Sequence, residues 1–133
     1  MKQYPDLDTL KFNSDGLIPA ISQQHDTGEI LMMAWMNRDS LQETFTSGVA
    51  CYWSRSRKQF WRKGETSGHV QHVKAIRTDC DRDTLLLIVD QVGVACHTGR
   101  KNCFYLEAQD NQWVEIAEPL VDPEAIYGKP SKN

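Results

Sequence analysis

Six residues in the second half of the chain, three aspartates and three cysteines, have side chains that bind metal ions. The aspartates lie in the run Asp79-Cys80-Asp81-Arg82-Asp83, where an extended backbone would place all three carboxylates on one face. Carboxylates this close repel one another unless a cation neutralises them, and oxygen ligands favour a hard ion such as Mg²⁺. A solvated acidic turn is the alternative interpretation. An EF-hand calcium loop is rejected, because Thr84 stands in place of its glycine and Asp90 in place of its glutamate.

The cysteines Cys80, Cys96 and Cys103 follow the spacing C-x15-C-x6-C, which matches no standard zinc finger. Three thiolates can nevertheless hold a zinc ion and leave its fourth position open to water, as in catalytic zinc sites. A closed structural site would need a fourth ligand, for which His97 or Cys51 could be proposed. Each cysteine taken singly could also be a small buried hydrophobic residue. We favour a shared metal over these alternatives.

His97 directly follows Cys96 and precedes a glycine turn. A histidine beside a zinc site is well placed to move a proton, because its ordinary pKa lies near neutrality. A surface histidine or one that only supports a ligand is the alternative. The other three histidines, His25, His69 and His72, lie in or beside a predicted turn and strand and have a weaker claim to catalysis.

A basic and aromatic segment earlier in the chain has the composition of a nucleotide-binding site. Five of the fifteen Lys and Arg residues fall within the nine positions 55–63. Arginine forks bind phosphate, hydroxyls and glycine-flanked N–H groups add donors, and tryptophan can stack on a base. The same side chains could hold single-stranded nucleic acid, or could protect an exposed strand edge from aggregation. The candidate binding residues are Trp53, Ser54, Arg55, Ser56, Arg57, Trp61, Arg62, Lys63, Glu65, Thr66, Ser67 and Gly68.

Composition indicates a soluble globular protein of ordinary size. The 133 residues are 40% hydrophobic and 25% charged and contain no apolar run of membrane-spanning length. The net charge of -3 argues against a dedicated nucleic-acid binder. The first ten residues lack the apolar core of a secretory signal, so we expect a cytoplasmic location and reduced thiols.

These groups must be positioned by a fold that we predict to be α+β and strand-dominated, with antiparallel sheets and one main helix. Asn37 is a good N-cap and Gly48 a good terminator, and apolar residues between them recur at helical spacing, which predicts a helix over 39–47. Residues 1–133 form one predicted domain, in which residues 116–133 are a partly frayed tail. A hairpin is predicted around residues 25–29 and another around Asp110-Asn111. Strands are predicted over 17–21, 30–36, 51–53, 70–76, 85–89, 103–106 and 113–116.

Six short motifs occur in a fixed order along the chain. They are Gly16-Leu17-Ile18-Pro19-Ala20, Met36-Asn37, Tyr52-Trp53-Ser54-Arg55-Ser56-Arg57, Trp61-Arg62-Lys63-Gly64-Glu65-Thr66-Ser67-Gly68, Asp79-Cys80-Asp81-Arg82-Asp83 and Cys96-His97-Thr98-Gly99. Together they resemble the phosphoribosyl-AMP cyclohydrolase family, over a stretch from about residue 16 to residue 105 without large gaps. Each motif is weak alone, whereas the ordered set is highly specific.

The resemblance implies the third step of histidine biosynthesis, in which water adds to C6 of the adenine ring of phosphoribosyl-AMP and the N1–C6 bond breaks. It implies zinc held by the three cysteines and Mg²⁺ held by the three aspartates. It also implies an intertwined homodimer, in which each zinc site takes ligands from both chains. A fused pyrophosphohydrolase domain, which some relatives carry, is not expected, because only a short tail follows Ile116.

Under this hypothesis zinc activates the water, His97 returns a proton to the leaving nitrogen, and Arg55, Arg57, Arg62 and Lys63 hold the two phosphates. A zinc-dependent base deaminase is disfavoured, because its His-x-Glu and Pro-Cys-x-x-Cys motifs do not occur. A zinc-stabilised module that binds RNA or single-stranded DNA is the remaining alternative, and it predicts oligonucleotide binding that weakens steeply with salt.

Overall fold

The computed structural model describes residues 4–124, and this part of the chain contains eight strands, one α-helix and one short 3-10 helix. Four strands form the main sheet, and the other four pair into two hairpins. The strands are β1 (Leu17–Gln24), β2 (Ile30–Asn37), β3 (Cys51–Ser54), β4 (Gln59–Arg62), β5 (Gln71–Thr78), β6 (Leu85–Gln91), β7 (Leu106–Gln109) and β8 (Gln112–Glu115). The helix α1 spans Arg38–Ser47, and the 3-10 helix spans Leu7–Thr9.

The main sheet has the strand order β2-β1-β6-β5 and mixes parallel with antiparallel pairs. β1 and β2 form the antiparallel hairpin that the turn residues 25–29 predict. β6 runs parallel to β1, with Ala20 opposite Leu85, and antiparallel to β5. A parallel pair needs a long crossover, which here carries β2, α1, β3, β4 and β5. The turn before β6 and the loop after it therefore lie at opposite ends of the sheet.

Helix α1 begins and ends where the sequence predicts. The Asn37 side chain accepts a hydrogen bond from Ser40 N, and the Ser40 hydroxyl accepts one from Asn37 N, which completes a capping box. Gly48 ends the helix in the left-handed conformation, with φ 78°. Leu41 and Phe45, one turn apart, are buried in the core. The helix prediction over 39–47 is confirmed.

A buried polar network crosses the core and joins β3 to the main sheet. Tyr52 Oη donates to Gln71 Oε1 at 2.7 Å, and Gln71 Nε2 donates to Ser22 Oγ at 3.1 Å and to Gln91 Oε1 at 2.9 Å. Tyr52, Gln71 and Ser22 are fully buried. A buried polar group left without a partner costs about 1–3 kcal/mol, so the network fixes how β3 sits against the sheet.

Most predicted strands are confirmed, including the buried strand at 85–89 and the closing hairpin. The predicted bounds 103–106 of the first strand of this hairpin are wrong, because β7 spans Leu106–Gln109. Cys103 N instead donates to Leu31 O at 2.7 Å, which holds this residue against β2 in an irregular segment. Strand β4 is not predicted, because its four residues are too few to show a period.

The prediction of an α+β, strand-dominated fold with one main helix is confirmed. No helix within residues 4–124 is both long enough and apolar enough to cross a bilayer. The predicted frayed tail covers residues 116–133, of which residues 125–133 lie outside the described part of the chain.

Candidate active site

The acidic turn, residues 79–83, joins β5 to β6 at one end of the main sheet. Carboxylate oxygens of Asp79, Asp81 and Asp83 all lie within 4.8 Å of one another, and all three residues are exposed. Exposed carboxylates at this spacing leave room for water to complete the coordination of a hard cation. The donor set of the acidic turn therefore fits Mg²⁺.

Hydrogen bonding distinguishes the aspartates within the acidic turn. Desolvation is the largest single effect on Asp79 and opposes its ionisation, but several hydrogen-bond donors together outweigh it and lower the pKa of Asp79. Among these donors are Asp83 N at 3.1 Å and Thr84 N at 3.3 Å from Asp79 Oδ1. A hydrogen bond with Asp79 raises the pKa of Asp83, and the nearby charges of Asp79 and Asp81 add to this. A bound cation would therefore favour loss of a proton from Asp83.

The cysteine loop, residues 92–103, leaves the other end of β6 and returns to β2. Cys96 is buried, and its Sγ lies 3.0 Å from Thr98 Oγ1. Part of the surface of Cys103 is exposed, but desolvation of its thiol and the adjacent Cys96 raise the pKa of Cys103 to about 12. The two thiols are therefore neighbours, and cysteine thiolates are the soft ligands that a zinc ion binds.

Cys80 does not join this pair within the described chain. It is exposed in the acidic turn before β6, whereas Cys96 follows β6. Seven residues of strand span roughly 23 Å, while a zinc–sulfur bond is only about 2.3 Å long. A zinc ion bound by all three cysteines therefore fits only if Cys80 comes from a second copy of the chain.

Lys63 lies between the basic segment and the cysteine pair. Its residue is only 2% exposed, and no ion pair with a carboxylate among residues 4–124 includes it. Burial lowers the pKa of its ammonium group, and the charges of Cys103 and Cys96 counteract part of that effect. The sequence predicts that Lys63 binds phosphate, and the structure also places it near Cys96 and Cys103.

The basic cleft is a pocket of about 220 Å³ lined by Arg57 and residues 59–67. A tight turn forms part of it, in which Gly68 N donates to Gly64 O at 2.7 Å and both glycines have positive φ. Arg62 contributes to the wall while its guanidinium pairs with Glu43 at 3.2 Å. The cleft presents cationic side chains, hydroxyls and loop N–H groups, which together suit a phosphate.

An aromatic groove of about 670 Å³ adjoins the basic cleft, because Trp61 lines both. Its wall includes Trp53 from the predicted binding set, together with Trp35 and Met33 from β2. The Arg55 guanidinium lies 5.2 Å from the centroid of the Trp35 ring. Trp35 and Met33 are absent from the sequence prediction, because their apolar run indicates only a strand. Cleft and groove together have the shape and chemistry of a nucleotide site.

Comparison with known proteins gives this site a family. The phosphoribosyl-AMP cyclohydrolase family model matches residues 32–105 of this chain. A protein of that name from Magnetococcus marinus is 71% identical over 97% of this chain and 100% of its own length. Proteins of the same name from Rhodospirillum centenum and Halorhodospira halophila are each 62% identical, over 90% and 92% of this chain and 90% and 86% of their own lengths. The chain belongs to this family.

Membership of the phosphoribosyl-AMP cyclohydrolase family confirms the family and the enzyme class that the sequence predicts. The matched residues include the acidic turn, all three candidate zinc ligands, His97 and the basic and aromatic segment. Family membership makes the chain a hydrolase of a cyclic amidine. The roles of its individual residues stay predictions.

Two histidines of the chain differ in their surroundings. His97 is exposed in the turn that follows Cys96. His69 packs its ring against Gly93, where an added Cβ would lie 2.6 Å from the ring, and its Nδ1 accepts from Val94 N at 3.4 Å. His69 therefore braces the start of the cysteine loop, a role that the sequence analysis missed. Gly93, near the start of the loop, is the one signal in the sequence that could have indicated a close contact.

Proposed function

We propose that this chain hydrolyses the adenine ring of phosphoribosyl-AMP at the N1–C6 bond, which gives the formimino-carboxamide ribonucleotide of histidine biosynthesis. The observation that carries the proposal is the cysteine pair beside a basic cleft, with the buried Lys63 between them. Ring hydrolysis needs an activated water next to a site that holds a phosphorylated nucleotide. The pair supports the first requirement and the cleft supports the second.

The donor sets support two different metals. The Cys96–Cys103 pair, completed by Cys80 of a second copy, suits zinc, whereas the all-oxygen acidic turn suits Mg²⁺. Zinc supplies a nucleophile at neutral pH when bound, because it lowers the pKa of a coordinated water to about 7. The Mg²⁺ of the acidic turn would neutralise phosphate charge or polarise the ring.

The chain's own residues bind and orient the nucleotide. Arg57 and the turn at residues 64–68 hold a phosphate in the basic cleft, and Trp53 and Trp61 pack against the ring in the aromatic groove. Arg55 reaches the same groove, where it can meet the second phosphate. Binding energy from both phosphates, remote from the reacting carbon, places C6 at the cysteine pair.

His97 completes the set as the proton carrier. The adduct at C6 breaks down only if the leaving N1 gains a proton, and an imidazole can both accept a proton and return it. His97 directly follows Cys96 on the same turn, and its side chain is exposed. His97 therefore takes a proton from the attacking water and gives it to N1.

We also propose that the active unit is a homodimer in the cytoplasm. Cys80 and Cys96 lie at opposite ends of β6, so the three-cysteine set requires two chains. Exposed apolar side chains support an interface as well, since Trp113 is 74% and Leu106 is 50% exposed on the β7–β8 hairpin. A second copy that covers this surface would bury it.

The test is the ultraviolet absorbance of phosphoribosyl-AMP mixed with purified, metal-loaded protein, with and without a chelator. Ring opening should change the spectrum, a chelator should abolish the change, and zinc plus Mg²⁺ should restore it. Cys96→Ser should remove both bound zinc and turnover. Cys51→Ser serves as the matched control, because Cys51 is a buried thiol outside the proposed ligand set. An unchanged spectrum with verified substrate and full zinc loading would contradict the proposal.

A further inference from the structure

The segment at residues 117–121, which we name the strap, crosses the cysteine loop after the end of β8. Leu120 N and Val121 N both donate to the carbonyl oxygen of Gly99, at 2.8 Å and 3.2 Å. Gly99 lies between the two candidate ligands Cys96 and Cys103. The strap is therefore hydrogen-bonded to the middle of the segment that carries both ligands.

The contact between strap and loop is too close for any side chain at Gly99. A Cβ added there would lie 1.8 Å from Val121 O, and Gly99 has φ 85°, a left-handed conformation that favours glycine. The backbone of the loop thus touches the backbone of the strap directly. Because the two backbones are in contact, the strap restricts how far the turn after Cys96 can move.

Arg100 joins the strap to the loop a second time. Its side chain is largely buried, with Nε donating to Ala117 O at 2.8 Å and Nη2 donating to Glu115 Oε2 at 2.6 Å. The guanidinium also lies 3.9 Å from the centroid of the Tyr105 ring. The backbone of Arg100 in turn accepts from Cys96 N at 3.2 Å. Arg100 therefore connects the two segments: its side chain bonds to the start of the strap, and its backbone carbonyl bonds to Cys96.

The strap lies beyond residues 32–105, the part of the chain that the family model matches. We propose that the strap and Arg100 are positioning elements that hold Cys96 and Cys103 at the spacing a metal ion needs. They contact neither substrate nor reacting atoms, and they act by limiting the motion of the cysteine loop. This inference rests on the proposed function, because it assumes that the two cysteines bind zinc.

A matched pair of substitutions at Leu120 isolates the strap. Leu120→Pro removes the N–H that donates to Gly99 O, whereas Leu120→Ala keeps it and trims a side chain that is 68% exposed. Zinc transfer from loaded protein to a chromophoric chelator should be about 10-fold faster in Leu120→Pro than in Leu120→Ala, the scale on which supporting groups alter metal affinity. Hydrogen exchange of the metal-free variants should rise at residues 96–103 in Leu120→Pro alone.

Arg100→Lys gives a second, independent variant, because lysine keeps the charge but cannot donate to Ala117 O and Glu115 Oε2 together. It too should release zinc faster, with the unfolding midpoint of the metal-free protein close to that of the unsubstituted chain. Equal zinc release in Leu120→Pro and Leu120→Ala would overturn the inference, and so would faster release matched by a general loss of stability. If the unsubstituted chain binds no zinc at Cys96, the proposed function itself fails, and that result is separate from a strap without effect.

Discussion

Lys63 shows how one buried charge can serve two parts of the site. A lysine is seldom as buried as this one unless a partner compensates its desolvation. The groups that act favourably on its charge are the thiols of Cys96 and Cys103. In a zinc site with three thiolates the ligands carry more negative charge than the ion neutralises, so a neighbouring ammonium stabilises the bound state.

Replacing Lys63 with methionine should therefore weaken zinc binding. We expect a loss of zinc affinity of about 10-fold, because the thiolates lose a neighbouring cation. Methionine fills nearly the same volume as the apolar stem of lysine, so the packing is kept. Competition with a chromophoric chelator measures the change. Lys58→Met is the control, since Lys58 is an exposed lysine in the β3–β4 turn. Equal affinity in the two variants would assign Lys63 to phosphate binding alone.

Cys51 predicts a pH dependence of stability in the metal-free protein. Desolvation by burial raises the pKa of the Cys51 thiol to about 11, whereas an unfolded thiol has a pKa of about 8.5. Between these values the unfolded chain has lost a proton that the folded chain keeps, so stability falls as pH rises. The slope from one thiol is at most about 1.4 kcal/mol per pH unit. Cys51→Ala should thus cost less stability at pH 10 than at pH 7.

Urea unfolding at the two pH values measures this effect. Val89→Ala is the matched control, because Val89 is buried and does not titrate, so its cost should be similar at both pH values. A cost of Cys51→Ala that stays constant from pH 7 to pH 10 would mean that the thiol is not desolvated in the folded state.

At the scale of elements, the turn at residues 64–68 shapes the basic cleft. A Cβ at Gly64 would lie 2.3 Å from Val70 N, whereas a Cβ at Gly68 would meet nothing within 4 Å. Both glycines have positive φ, 85° and 79°, so alanine at either position carries a similar backbone strain of about 1–2 kcal/mol. The two substitutions differ mainly in the steric contact.

Gly64→Ala should consequently open the turn and weaken phosphate binding. We expect KM for phosphoribosyl-AMP to rise about 10-fold, the equivalent of about 1.4 kcal/mol, with a smaller change in kcat. Gly68→Ala should raise KM much less. Steady-state kinetics of the two variants at saturating metal compares them, and equal KM values would show that strain, and not the contact with Val70, governs the cleft.

Local patterns explain why the sequence predicts some elements and not others. Asn37, Ser40 and Gly48 carry cap signals within a few residues of one another, so α1 is predicted to within one residue. The pairing of β1 with β6 joins residues more than sixty positions apart, and no local pattern encodes it. Cys103 lies in an irregular segment because its N–H bonds to Leu31, another long-range contact.

The candidate site also contains some residues that the sequence predicts and others that it does not. The acidic turn is contiguous in sequence, and its three aspartates come together as their spacing predicts. Trp35 and His69 are positioned through contacts with Arg55 and Gly93, which lie 20 and 24 positions away. A chemical role that depends on such a long-range contact cannot be predicted from the spacing of residues along the sequence. The resemblance to a family could name the chemistry, but not these supporting residues.

At the scale of the whole molecule, the position of Cys80 decides how many chains make one site. Cys80 and the Cys96–Cys103 pair are separated by the length of β6, so two chains related by a two-fold axis would form two equivalent sites. Each site would take Cys80 from one chain and the pair from the other. A single chain would then hold no complete zinc site and should be inactive.

Mixing two inactive variants distinguishes shared from separate sites. Cys80→Ser and Cys96→Ser should each abolish turnover as homodimers. In a mixed dimer with shared ligands, one site loses both substituted cysteines while the other keeps Cys80 from one chain and the intact pair from its partner. Random assembly during co-expression makes half of the dimers mixed, so about one quarter of the normal activity and zinc content should return. If each chain built its own site, every site in the mixture would lack one ligand and no activity would return. Recovery near one quarter therefore requires a ligand set drawn from two chains, which neither a rearrangement within one chain nor a change in stability can produce.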